Sequence, residues 1–550
     1  MVEVDVSVPY LYEKEDLIRA VVSVLPKTEG QILDVFPTKR TLSVTDSAVT
    51  YKMTVAVALP EEVESGVLKK KKTVRLYDPC LFSVPKAAPK KRPLVVGLGP
   101  AGLFCALALC EAGACPLVIE RGLDVEKRKK AVNAYLLGGK LDPNSNVQFG
   151  EGGAGAFSDG KLKAGKNDKY KMKVLREFVS AGAPEEILYE TAAHLGTDKL
   201  PDIVRTLREK IISLGGTVRF STKLKDLCVR DGRLTAAVLE TPQGEEIFET
   251  DTVFLCTGHS AHDIFTFLQK DGIAMTAKPV GRGLRIEHPR ETVNRWVYGD
   301  RDTSGLPTAS YHLVSHLPNG RSAYSFCMCP GGEVMAATTE PDGVVTNGMS
   351  NFARDGRNSN AALLVSVFPE DFQKYAENKE NIFESYPNSD KISPLGGFAM
   401  QREIEKAAFI AGGGTGAAPA CRLEDFMKNR STDSFGEVLP SFPKGTAFAA
   451  PDEYLPPFIT DTLRLAIPEF DAWIPGFYAP DAVLTGAETR STSPVRVERN
   501  ADTLVSVSCS GLYPVGEGAG YSGGIVTSAM DGLKCAESYL LKFLSENNSF

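Results

Sequence analysis

Between Pro93 and Gly122 the chain reads PLVVGLGPAGLFCALALCEAGACPLVIERG: an apolar run, a glycine turn, an apolar stretch of helical length, a second apolar run and an acid. The glycines of Gly97-x-Gly99-Pro100-Ala101-Gly102 have separate duties. Gly97 permits a tight turn, Gly99 lets the backbone approach a pyrophosphate, and Gly102 lets helix and strand pack closely. The phosphate then meets unsatisfied N–H groups at the helix N-terminus, and Glu120 is placed to hydrogen-bond ribose hydroxyls. With a strand before, a helix after and an acid at this distance, the segment is a βαβ unit built for a dinucleotide. The pattern leaves open which dinucleotide.

At 550 residues the chain is longer than one ordinary domain, and 43% hydrophobic residues suffice for a sizeable core. A net charge of -7 argues against a general binder of nucleic acid or anionic membrane. The basic runs Lys69 to Lys72 and Lys86 to Arg92 read as a solvated turn and a linker. No apolar run approaches the roughly 18 residues of a membrane span, and Met1 leads into Val2, Val4, Val6 and Val8 without a signal-peptide pattern. The 11 cysteines are an odd number, and several sit in apolar segments (Cys105, Cys110, Cys256), which suits a reducing compartment. The expected location is cytoplasmic.

Residues 1–85 read as a separate α+β unit, plausible as a ferredoxin-like sandwich, with a helix whose apolar face is Leu17, Ile18, Val21, Val22 and Leu25. Residues 86–92 are the linker. After Glu120 comes Gln148 to Leu162, QFGEGGAGAFSDGKL, where Gly152 and Gly153 are followed by Ser158, Asp159 and Lys161. So much glycine implies backbone lying against something flat or anionic, or a series of positive-φ turns. Lys199 to Leu214 predicts a helix and Thr217 to Phe254 an antiparallel meander, leading into a buried strand that ends on Thr257-Gly258. The glycine-and-helix rhythm then stops until Gly511, where a strand runs into Gly516-Glu517-Gly518 and on through Gly523-Gly524-Ile525, with a helix expected from Ser522. The segment between, rich in β-like runs, reads as a domain inserted at 277–497 into a discontinuous dinucleotide fold of 93–276 and 498–550.

With these pieces in order the chain resembles flavoproteins of the glutathione-reductase-like superfamily. More closely, it resembles an uncharacterised bacterial group of FAD-dependent or NAD(FAD)-utilising dehydrogenases, through QFGEGGAGAFSDGKL, GRGLRIEHP, CMCPGG, TRSTSPVR and GEGAGYSGGI. The resemblance implies an α/β fold: a Rossmann-like FAD-binding domain with an inserted β-rich α+β cap and the small N-terminal domain. It further implies that Gly97, Gly99, Gly102, Glu120 and Arg121 hold the adenosine half of FAD, with Leu224, Thr257 and Gly258 close by. Arg128 would reach the pyrophosphate. Gly516 and Glu517, in place of the more usual Gly-Asp, would meet the ribityl chain, and the C-terminal helix would aim its positive end at the flavin.

Hydride transfer belongs to the cofactor, so few catalytic side chains are needed. Arg282, Arg285 and His288, with Arg402, would let the inserted domain clamp an anionic small-molecule substrate. Arg490 and Arg496 stand near the return to the FAD fold, where ligands tend to sit. Ala411 to Pro419 imitates a second nucleotide loop but lacks the following strand and acid, so NAD(P)H is expected as a transient reductant only. Cys327-x-Cys329 invites a redox reading, yet the disulfide-reductase relatives place their pair elsewhere. No metal site is expected. Two other readings remain: a flavin-dependent RNA-modifying or partner-directed activity, and an FAD-binding redox sensor.

Overall fold

The structure is a computed structural model that describes residues 1–70, 73–165, 168–376 and 393–547. It is a mixed α/β protein of two compact units: Met1–Ser83 with Lys161–His194, and Val84–Gly160 with Leu195–Phe550. Among the described residues no helix is long and apolar enough to cross a membrane.

In the first unit, alternation along Val2–Pro9 buries Val2, Val4, Val6 and Val8 on one face. This strand lies in a four-stranded antiparallel sheet beside Val49–Ala58 and Arg75–Leu76, with Asp34–Val44 outside Val49–Ala58. Helix Lys14–Val24 buries Leu17 and Val21 in the same core. A second helix, Glu61–Lys70, ends on Lys69 and Lys70, the first half of the run expected to be a solvated turn. Lys71 and Lys72 lie outside the described residues. The unit also takes in Lys161–His194, because Arg40 exchanges backbone hydrogen bonds with Tyr189 (2.7 Å) and Thr191 (3.0 Å) and pairs with Glu190.

The second unit contains a five-stranded parallel sheet in the order Leu512–Pro514, Val253–Leu255, Leu94–Val96, Leu117–Ile119, Thr217–Arg219. Thr217–Arg219 therefore leaves the predicted meander, which is made of Lys223–Arg230, Arg233–Thr241 and Gly244–Glu249. The helix Pro100–Ala112 is apolar all round and almost wholly buried, as a helix enclosed by its own domain must be. Against it lies the long helix Ile525–Asn547, so close that a Cβ on Gly532 would stand 2.2 Å from the Ala101 carbonyl. That helix begins three residues later than expected. The basic linker is pinned rather than loose: Ala87 N–H donates to Ala112 O at 3.0 Å, and Arg92 Nε to Cys115 O at 2.7 Å.

A seven-stranded sheet fills the middle of the chain. Its order is Val314–His316, Ser322–Cys329, Asn358–Val367, Val280–Pro289, Val483–Glu488, Ala418–Arg422, Thr446–Phe448, antiparallel except for the last pair. Val280–Pro289 runs through its centre, and all but Pro289 is buried. The two-stranded pair Met275–Ala277 with Val495–Val497 closes the base of this segment.

Candidate functional site

Just past the C-terminal ends of the parallel strands, the chain turns at Gly97, Glu120, Cys256–Gly258 and Val515–Glu517. These four turns line one cleft of about 1420 Å³, its open mouth included. From the central strand Leu94–Val96 the chain builds Leu117–Ile119 and Thr217–Arg219 on one side, then crosses to Val253–Leu255 and Leu512–Pro514 on the other, so the cleft lies at the switch in strand order where open α/β sheets place their ligands.

The glycines divide into two kinds. At Gly97 (φ +98°) a Cβ would stand 2.5 Å from Cys256 O, at Gly102 1.9 Å from Gly97 O, and at Gly518 2.3 Å from Gly258 O. These are glycines because the fold has no room. Gly99 would have its nearest neighbour, the Gly153 Cα, at 3.7 Å, and Gly258 and Gly523 would have nothing within 4 Å. Those positions present bare backbone to open space, a cradle that side chains would fill.

Gly97, Gly99, Pro100, Ala101, Glu120, Arg121, Gly153, Ser158, Leu224, Thr257, Gly258, Arg490, Glu517, Gly523, Gly524 and Ile525 all line the cleft. Glu120 is only 5% exposed, and its carboxylate accepts from the backbone N–H groups of Leu98 (2.9 Å), Gly122 (2.9 Å) and Gly150 (3.0 Å). It thus ties the glycine turn to the Gly-rich loop as well as facing the cleft. Arg121 pairs with Asp263 at 3.0 Å and lies over the Phe149 ring.

Other expected residues stand elsewhere. Arg128 does not reach the cleft: it is fully buried, and its guanidinium donates to the carbonyls of Asn146, Val147, Gly150, Glu151 and Gly153 at 2.6 to 3.3 Å. The Gly-rich loop is wrapped around it, which explains Gly150, whose Cβ would fall 2.4 Å from Arg128 Cδ. Gly152 faces Val204, and Asp159 is buried in an ion pair with Arg354. Lys161 belongs to the first unit. Gly516 packs on Ala101 and donates its N–H to Asp531 at 2.7 Å; Gly102 is interior to the helix packing. None of these six lines the cleft.

Of the arginines proposed for substrate, Arg285 has spent all five donors: on Glu488 (3.0 and 2.8 Å), Asn360 (2.9 Å), Asn347 (3.1 Å) and the Cys327 carbonyl (3.1 Å). It is a buried brace, because a guanidinium in the sheet interior must satisfy its charge there. His288 is likewise fully buried, with Nε2 2.9 Å from Phe477 O and Trp296 and Phe477 around the ring. Burial pushes it down to about 4. Arg402 pairs with Asp342, and Arg496 is exposed over the Tyr521 ring. Only Arg490 of this group reaches the cleft. Its Nε and Nη2 both donate to Glu405 at 2.9 Å, and Thr489 Oγ1 adds 2.7 Å to the same carboxylate. Burial would raise the Glu405 carboxyl, but the Arg490 charge and these hydrogen bonds outweigh it and hold it down at about 2.

Sequence reasoning missed several lining residues: Gln148, His259, Ser260, Phe326, Asn347, Glu488 and Ser491. His259 and Ser260 directly follow the Thr257-Gly258 turn, which was the available signal. Phe326 and Cys327 reach the cleft because the pairing of Ser322–Cys329 with Asn358–Val367 shifts register after Phe326, where Cys327 takes φ +43°. No local pattern announces such a bulge. Cys329 Sγ donates to Cys327 O at 3.2 Å. His259 Nε2 stands 4.0 Å from Glu517 Oε1. Burial, then the charges of Arg490 and Arg282, pushes His259 down to about 3; burial, opposed by Lys278, pushes Glu517 up to about 7. Neither group is strongly held in its charged form near neutrality.

Residues 279–491 match the family model described as FAD-dependent protein, C-terminal domain-like. A protein from Clostridium beijerinckii, which carries the name uncharacterized protein, is 45% identical over 456 residues, 82% of this chain and 81% of its own. Among solved structures, similarity extends to a flavin-dependent brominase variant (TM-score 0.36, 11% identity, 82% of this chain and 80% of that one). It extends also to a variant of E. coli quinol fumarate reductase (0.35, 11%, 84% and 72%). A geranylgeranyl bacteriochlorophyll reductase-like protein from Thermoplasma acidophilum is similar to the same degree (0.35, 12%, 83% and 79%). Those three likenesses are too distant to bear on the site. The sequence relative and the domain match are not: the chain belongs, with the Clostridium beijerinckii protein, to a family of FAD-dependent flavoproteins.

Proposed function

We propose that the chain is an FAD-dependent oxidoreductase of dehydrogenase type, which binds FAD along this cleft and exchanges hydride with a small-molecule substrate held by residues of the 277–497 segment. The observation that carries the reading is the cradle itself: Gly99, Gly258 and Gly523 offer bare backbone to one continuous cleft, though they lie hundreds of residues apart. In this reading 93–276 and 498–550 form a Rossmann-like FAD domain and 277–497 its cap. Gly97, Gly99, Glu120, Arg121 and Leu224 would hold the adenosine half; Glu517, Gly523, Gly524 and Ile525 the ribityl and flavin half. When bound, the flavin supplies two-electron hydride chemistry.

The chain's own residues supply the rest. The N-terminus of Ile525–Asn547 opens on the cleft and offers partial positive charge to an electron-rich edge. Glu517, half-titrated near neutrality, holds or releases a proton at its Oε1. Arg285 fixes Glu488, Asn347 and Cys327 as a rigid wall. NAD(P)H enters, where it is used, as a transient reductant.

Reconstitution of the apoprotein tests the reading. One equivalent of FAD is expected to bind, with FMN, which lacks the adenosine half, at least about a hundred-fold weaker. A chain that takes up neither flavin, or binds NAD(H) alone in the cleft, overturns it.

A further inference from the structure

Two neighbouring strands of the parallel sheet bring four polar cleft residues into a row. Leu255 lies opposite Pro514, so the turns that follow run side by side, close enough that a Cβ on Gly518 would stand 2.3 Å from Gly258 O. His259 and Ser260 leave one turn, Glu517 leaves the other, and Gln148 comes from the Gly-rich loop; all four line the cleft. Ser260 Oγ stands 3.3 Å from Gln148 Oε1 and 3.3 Å from His259 Nδ1, and His259 Nε2 stands 4.0 Å from Glu517 Oε1.

The direction of each hydrogen in this row follows from its far end. Gln148 turns its amide nitrogen to the Ala337 carbonyl at 3.5 Å, which can only accept, so Oε1 is the atom that faces Ser260. Ser260 has one hydroxyl proton and donates it to that oxygen. Its lone pair then accepts from His259, which places the imidazole proton on Nδ1 and leaves Nε2 bare. The ring is neutral: burial, then the charges of Arg490, Arg282 and His262, outweigh Glu405 and push His259 down to about 3. A bare Nε2 is an acceptor. Toward a carboxylate it sets lone pair against lone pair; toward a carboxylic acid it meets a donor.

Nothing in the chain holds the other state of Glu517. Among the described residues its carboxyl group makes no hydrogen bond and has no lysine or arginine within 4.0 Å. Burial pushes it up to about 7, with Lys278 opposing and Cys327 adding to the rise.

We propose that His259 is a positioning residue, fixed by Ser260 and Gln148 in the Nδ1–H tautomer, that holds a proton on the Glu517 carboxyl up to neutral pH. The flavin half of the cleft then offers a neutral O–H donor where a fixed negative charge would oppose the charge a flavin gains on reduction. This deepens the flavoenzyme reading, and its consequence for the cofactor rests on that reading; the proton assignment is tested without it.

The first test uses the apoprotein. Nitrogen resonances of isotope-labelled histidine report the tautomer, with His259 assigned by its loss in His259→Asn; the expected state is Nδ1–H with Nε2 bare. Infrared spectra over a pH series follow the protonated-carboxyl band that Glu517→Gln removes. Ser260→Ala frees His259 to turn its proton to Nε2 and donate to the carboxylate, so the midpoint of that band should fall by at least about one pH unit, a ten-fold loss of proton affinity. Ser260→Thr keeps the hydroxyl and should keep the midpoint, whereas a merely structural Ser260 would change the melting temperature and leave the titration in place. An Nε2–H tautomer in the parent, or an unmoved midpoint in Ser260→Ala, overturns the proposal. In the FAD-loaded protein the same variant should show a more negative flavin potential at neutral pH, and an unchanged potential overturns the consequence for the cofactor. Protein that takes up no FAD overturns the flavoenzyme reading, while the tautomer and the midpoint are still read in the apoprotein, so the two failures are told apart.

Discussion

At the scale of single residues, Gly99 and Gly102 share one motif and do different work. A Cβ at Gly99 enters the cleft and touches nothing closer than 3.7 Å, whereas at Gly102 it meets Gly97 O at 1.9 Å. Gly99→Ala should therefore leave unfolding free energy within about 0.5 kcal/mol and weaken FAD binding at least about ten-fold. Gly102→Ala should cost about 3 kcal/mol or more, because strand and helix must part. Urea unfolding of the apoprotein beside FAD titration checks both. Glu517 gives a pH signature. Its carboxyl is raised from 4.5 to about 7, so between those values the folded apoprotein binds more protons than the unfolded chain and loses stability as pH rises. The penalty is complete above pH 7 and amounts to about 3 kcal/mol. Glu517→Gln apoprotein should match the parent at pH 4.5 and exceed it at pH 8; equal stability at both would show that the carboxyl is not desolvated. The local pattern made Gly99 and Gly102 legible, since their duties follow from the strand–turn–helix geometry. It could not reveal that His259, 258 positions from Glu517 in sequence, sits 4.0 Å away.

At the scale of elements, the Gly-rich loop shows why composition alone misleads. Its glycines were expected either to lie against something flat or anionic or to make positive-φ turns; Gly150 and Gly153 do line the cleft and Gly150, Gly152, Gly153 and Gly160 do take positive φ, yet the loop's shape is held from within. Arg128, projecting from helix Val125–Leu136, gathers five carbonyls of residues 146–153. Arg128→Lys has three donors and no fork, so it leaves buried carbonyls unpaired, each costing about 1–3 kcal/mol. The expected outcome is a stability loss on the order of 3 kcal/mol, with FAD affinity falling in parallel because Gly153 and Gly150 no longer hold the cleft wall. A variant with lowered melting temperature but unchanged FAD affinity would detach the loop from the site. The strand Val280–Pro289 is a second case. Its arginines and histidine look like a ligand clamp in sequence, but a central strand buried on both faces must neutralise what it carries, and Arg285 and His288 are consumed doing so.

At the scale of the whole molecule, buried ionisable groups set opposing pH trends. His259, His262 and His288 titrate in the fold at about 3, 3 and 4 against an ordinary 6.5. Each costs stability as pH falls below 6.5, since the unfolded chain then binds the extra proton. Glu517 and Glu151, both raised to about 7 chiefly by burial, return stability over the window from 7 down to 4.5. The two trends nearly cancel above pH 5. Below pH 4.5 the glutamates have nothing more to give, the histidines continue to lose, and Glu405, held at about 2, begins to lose as well. Stability is thus expected to be nearly flat from pH 7 to 5 and to fall steeply by pH 4. Urea midpoints across this range would check it, and a uniform decline from pH 7 would contradict it. What the sequence by itself determined is what short-range sterics dictate: the βαβ glycine turn, the alternating strand Val2–Pro9, the apolar helix after Gly99, and the return of the fold at Gly511. The tertiary structure alone decided which charges are spent and which remain. Whether Arg128, Arg285, Arg490 or Arg282 finds a partner depends on carbonyls and carboxylates that pairing of distant strands brings within about 3 Å, and hydrogen bonds of that range carry no trace in local spacing.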